Sequence, residues 1–386
     1  MPPTYLDHAA TTPMRPGAVA AMLPFLTDRF ANPEGSHRFA RDARQAVDEA
    51  RDAVAGALGV RPGEVVFTSG GTESDNTAIA GAGIDPSSSR GSLVVTSAAE
   101  HHAVVEPAER VAARVVGVTP TGHIDLAALD ATLAEVGPQV RLVSVMAVNN
   151  EVGTVTDLAA VADVVRARAP HAVLHTDAVQ AAGWLDLRTI TPLVDLMSLS
   201  AHKFGGPKGA GVLVARDGTP LQPLLAGGGQ ERERRSGTHN VAGIVALAAA
   251  LVATDAERHH EVARVAALGA RLTAALTAID GVATTVPPGT AVPGIVHVCI
   301  EAVESEALLF LLDQADVCAA AASACASGAM QRSHVLAAMG VPAERAAGAL
   351  RLSLGHTTTA ADIDRVSDVL ADAITRLRAP MGAWRS

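Results

Sequence analysis

Between residues 60 and 216, short apolar runs alternate with turns and with stretches whose apolar residues recur at helical spacing. Residues 64–68, 93–96, 141–147, 172–175, 195–199 and 211–215 read as strands, and residues 103–113, 158–167 and the segment after Asp177 as helices. Strands that alternate with helices predict parallel strands joined by right-handed crossovers, hence an α/β fold with a large doubly wound, mostly parallel sheet. Beyond residue 255 the rhythm changes. It becomes helix (255–279), strand (294–300), helix (305–314), a stretch of small residues (318–329), strand (350–354) and a last helix from about Ala360, where Thr359 and Asp362 are spaced as a capping box. This second pattern predicts a smaller α+β domain. The expected division is a large domain over residues 16–255 and a small one built from residues 1–15 and 256–386.

Composition narrows the picture. A chain of 386 residues suggests two or three domains, and 49% hydrophobic against 18% charged residues excludes wholesale disorder. The longest apolar run, residues 241–253, is too short to span a membrane and reads as a buried helix. The first residues, MPPTYLDHAATTP, lack the basic-then-apolar pattern of a signal peptide. Cys299, Cys318 and Cys325 are odd in number and form no CxxC, which argues against a disulfide framework or structural zinc. A protein of the reducing cytoplasm, with no membrane partner, is expected. A net charge of −10 and 2% aromatic residues speak against direct nucleic-acid binding, which uses basic surfaces and stacking rings.

Ligands of doubly wound sheets sit beyond the carboxyl ends of the strands, so the residues just after each strand matter most. After the first comes Thr68-Ser-Gly-Gly-Thr-Glu-Ser-Asp-Asn76, a glycine turn opening a helix, with Thr72 and Asp75 spaced as a capping box. Free N–H groups at such a start favour phosphate. The next strand leads to Glu100-His101-His102, and another to Asn149-Asn150-Glu151. Then comes His175-Thr-Asp177-Ala-Val-Gln180, with Gln180 expected one helical turn beyond the acid. Ser198-Leu-Ser200-Ala-His202-Lys203 is next, where a lysine leaving a buried strand suits a Schiff base. Lys208, in the Gly/Pro loop, reads as a surface lysine. Taken singly, each has an ordinary structural explanation. As a set they meet the needs of pyridoxal phosphate: a helix start for the phosphate, a carboxylate for the ring nitrogen, a lysine for the aldehyde. GPKGAG at 206–211 is not followed by Lys-Ser/Thr, and no GxGxxG opens a helix after the first strand, so NTPase and dinucleotide loops are excluded.

The chain resembles the cysteine desulfurases of the class V aminotransferase-like family, which supply sulfur for iron–sulfur clusters and tRNA thiolation. The likeness runs through YLDHAATTP (5–13), NPEGSHRFA (32–40), EVVFTSGGTESDN (64–76), EHHAV (100–104), VNNEVG (148–153), HTDAVQ (175–180), DLMSLSAHKFGGPKGAG (195–211), RRSGTHN (234–240), SACASG (323–328) and LRLSLGHTTT (350–359). It implies a fold-type I enzyme that takes sulfur from L-cysteine, leaves alanine, and holds the sulfur as a persulfide on Cys325. Lys203 resembles the lysine that bonds the cofactor, Asp177 the partner of the ring nitrogen, Gln180 that of the ring hydroxyl, and His101 the imidazole stacked on the ring. His101 also offers a base for the Cys325 thiol. Gly71, Thr72, Ser200, Ala201 and His202 resemble the phosphate site, with Thr238 supplied by the second subunit of a homodimer. Asn150 and Arg351 resemble the residues that hold cofactor and substrate carboxylate, with Asn32 beside them. No resident metal is implied, only an iron–sulfur species held transiently through Cys325. The sulfur acceptor would be an iron–sulfur scaffold or a tRNA thiouridylase. The alternative is another class V pyridoxal-phosphate enzyme, an aminotransferase or a selenocysteine lyase. Two departures bear on the cysteine loop: Ala322 stands where the family usually has glycine, and Gln331-Arg332 where Glu-Pro is common.

Overall fold

The computed structural model describes residues 3–82, 92–321 and 332–379. Its centre is a seven-stranded sheet with the spatial order Val65–Thr68, Gly211–Ala215, Leu196–Ser200, Val173–Asp177, Val140–Ser144, Leu93–Ser97, Ala113–Val116. Only Gly211–Ala215 runs against its neighbours; every other pairing within the row is parallel. Most of these strands are buried on both faces, which is why they read as continuous Val/Leu runs without alternation.

Three expectations need correction. The helix foreseen over 103–113 is His102–Glu109, and the chain then enters an edge strand, Ala113–Val116. Arg114 and Val115 of that strand are exposed, so it carries no burial signature in the sequence. The segment after Asp177 is a series of turns, closed by Ala181 N–H to Ala178 O and Trp184 N–H to Ala181 O, with a short helix only at Leu187–Ile190. The apolar run at 241–253 and the helix foreseen at 255–279 form one uninterrupted helix, Val241–Thr277.

That helix is 37 residues long, about 55 Å at the usual rise. Val241 to Leu251 pack into the core under the large sheet with Ala43 and Val47. Val265, Leu272 and Leu276 pack into a second core with Val296, Leu352 and Ile363. The second core lies against a three-stranded antiparallel sheet, Ala349–Ser353, Ile295–Ile300 and Val282–Thr284 in that order. Helix Ala360–Arg378 closes it and carries the capping box: Thr359 accepts from Asp362 N–H, and Asp362 accepts from Thr359 N–H. The N-terminal arm pairs in parallel with Val317–Cys318, Leu6 enters the second core, and residues 9–11 continue towards the large sheet. Among the described residues no helix is long and apolar enough to cross a membrane.

Candidate active site

Six of the seven strands of the large sheet end at one edge, and the reversed strand begins there at Gly211. Over this edge lies a cavity of about 510 Å³, bordered by the glycine turn, His101, Asn150, Asp177, Gln180, Ser200, His202 and Lys203.

At one end of the cavity the helix Gly71–Gly81 begins directly after strand Val65–Thr68. Gly70 precedes it with φ +152°, a conformation that favours glycine. A Cβ on Gly71 would stand 2.6 Å from Val179, so only glycine lets the helix start settle against the turn after Asp177. The expected capping box is absent. Thr72 lies inside the helix, exposed at the cavity, and Asp75 is buried beneath it. The early helical N–H groups therefore keep their capacity for an anion. Ser200 and His202 border the same end, and Ala201 is buried between them in a tight turn. His202 Nδ1 lies 3.1 Å from Thr11 Oγ1, and burial with the charges of Lys203 and Lys208 lowers its pKa to about 4.

In the middle of the cavity, Lys203 donates from Nζ to the carbonyls of Ala9 (2.6 Å) and Ala10 (3.0 Å). Burial, aided by Arg351, lowers its pKa to about 8 against the pull of Asp177 and Asp7. Gln180 Nε2 donates to the same Ala9 carbonyl at 2.7 Å. Asp177 ends its strand fully buried, with Oδ1 accepting Val179 N–H at 2.8 Å. Burial raises its pKa to about 6, opposed by that N–H and by Lys203. His101 opens its ring to the cavity. The protein around it, with the charge of Lys203 and its neighbours His102 and His334, lowers its pKa to about 4, so the ring is neutral. Its Nδ1 accepts Ala103 N–H, which leaves the proton on Nε2. His101 is thus a donor into the cavity, and the lone pair needed by a base for Cys325 is already engaged.

Asn150 borders the cavity, and its carbonyl accepts from Arg351 at 2.8 Å. The other guanidinium nitrogen of Arg351 bonds Asp7 at 2.8 Å, while Nε has no partner. Arg351 reaches the cavity through Asn150 and is not itself part of the wall. Asn32 is exposed, accepts from Glu34 N–H, and does not border the cavity; Thr238 is exposed and does not border it either. Cys325, with Ala322 and Gln331, lies outside the described residues. Cys299 is buried and Cys318 half-buried. Among the wall residues that escape sequence reasoning are Ala10, Thr11 and Met146, and two more instructive ones, Asp75 and Lys208. The spacing assigns Asp75 to a cap, although its i,i+4 separation from Gly71 puts both on one helix face. Lys208 is exposed, as a surface lysine should be, yet it stands on the rim.

The sequence matches the family model described as "Aminotransferase class-V" over residues 4–366. The chain belongs to the class-V aminotransferase family. Its sheet is that of fold-type I pyridoxal-phosphate enzymes, and pyridoxal 5′-phosphate is the cofactor of this class V enzyme. The residues present fit that group: an open glycine-lined helix start, a buried carboxyl whose pKa burial raises, and a lysine whose pKa burial lowers. Among relatives of this class V chain, a cysteine desulfurase of Cereibacter sphaeroides is 43% identical, over 98% of both chains. The cysteine desulfurase IscS of Methanosarcina thermophila is 39% identical, over 97% of this chain and 92% of its own. A solved NifS-like protein superposes with a TM-score of 0.90 at 32% identity, covering 97% of this chain and 100% of its own.

Proposed function

We propose that this enzyme is a cysteine desulfurase, which takes the sulfur of L-cysteine, releases L-alanine and passes the sulfur to an acceptor protein. The observation that carries the reading is the meeting of Lys203, Asp177, His101 and the glycine-led helix start at one cavity. Near-full-length similarity to cysteine desulfurases supports it.

When bound, pyridoxal phosphate supplies an electron sink for bonds at the α-carbon of an amino acid. The protein's own groups divide the remaining work. Asp177 would hold the ring nitrogen by a charge-assisted hydrogen bond, and the helix start with Ser200 and His202 would hold the phosphate. Asn150, at the wall, and Arg351 behind it would hold the substrate carboxylate once the guanidinium exchanges its present bond to the Asn150 carbonyl. Lys203, with its pKa near 8, exchanges a proton close to neutral pH and so serves as the carrier between the α-carbon and its neighbour. His101 would lie against the ring, with its Nε2 proton available to donate. The Cys325 thiolate would attack the substrate sulfur: a sulfur–sulfur bond forms, the carbon–sulfur bond breaks with its electron pair left on carbon, and that carbon takes a proton to become the methyl group of alanine, leaving a persulfide on the enzyme.

Thr238 faces solvent on its own chain, which suits a second copy that brings it to the phosphate end of the neighbouring cavity. The acceptor is an iron–sulfur scaffold or a tRNA-thiolating enzyme, and the setting is the cytoplasm.

The test is to load the purified protein with pyridoxal phosphate, supply L-cysteine, and measure alanine and transferred sulfur. Alanine and protein-bound sulfur should appear in equal amounts, and Cys325→Ala should transfer none. Amino transfer to an oxo acid in place of alanine release would show an aminotransferase instead.

A further inference from the structure

Beneath the cofactor cavity runs a buried polar chain that desulfuration leaves unused. Ser144 Oγ lies 2.8 Å from His175 Nδ1, and His175 Nε2 lies 3.0 Å from Ser198 Oγ. The Asp75 carboxyl stands beside this chain, with Oδ1 3.6 Å from His175 Nε2, and the Ser198 hydroxyl pulls on its charge. The first three residues sit on adjacent strands of the large sheet, Ser144 opposite His175 and Ser198 opposite Asp177. His175 and Asp177, two apart on one strand, share a face, and helix Gly71–Gly81 brings Asp75 over it. All four residues are fully buried. Asp75 Oδ1 has no hydrogen-bond partner among the described residues, and Asp75 borders the same cavity as Asp177.

The groups around Asp75 decide its charge. Burial drives the pKa of His175 down to about 3, so the imidazole is neutral and cannot balance an anion. The acids facing Asp75 are Asp177 and Glu100, and no Lys or Arg forms an ion pair with it among the described residues. Burial first, then the charge of Asp177, push the Asp75 carboxyl well above the usual range, against the pull of the Ser198 hydroxyl. Asp177, in contrast, has Val179 N–H and Lys203 to support its negative form. Two carboxyls at one end of a buried site cannot both ionise.

We propose that Asp75 is a positioning residue that serves the cofactor site as a carboxylic acid. It keeps a single negative charge at the ring-nitrogen end and offers Asp177 a polar, uncharged neighbour beside the Ser198–His175–Ser144 chain. The proposal rests on pyridoxal phosphate binding in this cavity.

The experiment titrates the apoprotein with pyridoxal phosphate at pH 8, and then tracks the visible band of the loaded protein against pH. The proteins compared are wild type, Asp75→Asn and Asp75→Leu. Asparagine is neutral and polar, so D75N should bind within about twofold of wild type with the band midpoint unmoved. Leucine removes the polar neighbour from this end of the cavity, so D75L should bind about tenfold more weakly, with the midpoint moved by about one pH unit. Loss in D75N as large as in D75L would mean that an anion is required and would overturn the proposal; so would wild-type behaviour of D75L. Infrared spectra of the apoprotein at pH 8 give a readout that needs neither leucine nor cofactor. Glu100, with a pKa of about 8, contributes a protonated-carboxyl signal to both proteins; an additional component in wild type that D75N lacks is expected, and identical carboxyl bands in the two overturn the proposal alone. Failure of the wild-type protein to take up pyridoxal phosphate would overturn the cofactor reading together with it.

Discussion

Two buried clusters of charge flank the same glycine turn and are built on opposite terms. In the first, Arg51 grips Glu231 with both guanidinium nitrogens at 2.8 and 2.6 Å. His239 Nε2 and Phe67 N–H add bonds to the same carboxylate. Burial works against the charge on Glu231, but these bonds and the Arg51 charge overcome it and hold the pKa down at about 2. In the second cluster Asp75, Asp177 and Glu100 are equally buried, yet among the described residues no guanidinium forms an ion pair with them. Burial raises Asp177 to about 6 and Glu100 to about 8. The first cluster is electrostatically complete and fixes the left-handed residues 231–233 to the sheet. In the second, the charge of Lys203 opposes burial at Asp177 without overcoming it, which leaves room for the cationic group of a bound cofactor. A completed charge network marks structure here, and an incomplete one marks the site.

The largest expected effect breaks the complete cluster. Arg51→Met leaves Glu231 buried without its partner and should cost about 3–5 kcal/mol in denaturant unfolding. The cofactor affinity of the molecules that remain folded should not change. A smaller stability loss would mean that the pair is solvated and the contrast overstated.

Next comes the incomplete cluster. Asp177→Asn should weaken pyridoxal-phosphate binding by about 10- to 100-fold, the worth of a charge-assisted hydrogen bond. It should leave the apoprotein at pH 8 no less stable, because it removes a buried charge. Titration of the apoprotein and thermal melts of the same variant separate the two effects.

The pH dependence of the apoprotein should carry both signatures with opposite signs. The Glu231 pKa is depressed, so its contribution is present above the ordinary value of 4.5 and is lost as pH falls through about 2. The pKa values of Asp177 and Glu100 are raised. Their contribution is therefore whole below about 4 and is lost as pH rises, through about 6 for Asp177 and about 8 for Glu100. Each titrating group contributes a slope of up to about 1.4 kcal/mol per pH unit. Cofactor loading should flatten the rising-pH limb at Asp177 and leave the acid limb of Glu231 alone. Melting curves from pH 3 to 9, with and without cofactor, measure this.

The smallest effect concerns a charge that is neither buried nor paired. Lys208 stands exposed on the rim, so Lys208→Ala should lower cofactor affinity only about two- to fivefold, and the difference should shrink in salt. An effect equal to that of Asp177→Asn would show that rim and floor are not distinct environments.

Most of the large sheet is legible in the sequence because buried parallel strands are apolar without interruption, and Asp177 and Lys203 are legible because each comes directly after such a strand. Edge strand Ala113–Val116 is not, since its side chains face water. Nor is the length of helix Val241–Thr277, whose apolar first half and polar middle read as separate elements. Asp75 misleads for a different reason. A capping box and a buried carboxyl share the same local spacing, and only the strands beneath, more than a hundred residues away in sequence, distinguish them. The role of His101 as a donor depends on a backbone N–H two residues on, which residue type alone does not reveal.

The reversed strand has a consequence for the order of events during synthesis. Val65–Thr68, which leads into the glycine turn, is an edge strand whose hydrogen-bonded neighbour is Gly211–Ala215, about 150 residues later. A nascent chain ending before residue 211 has nothing to pair with it, so the glycine turn is fixed to the sheet only after more than half of the polypeptide has left the ribosome. Loading of pyridoxal phosphate is then a late event in the life of each new molecule.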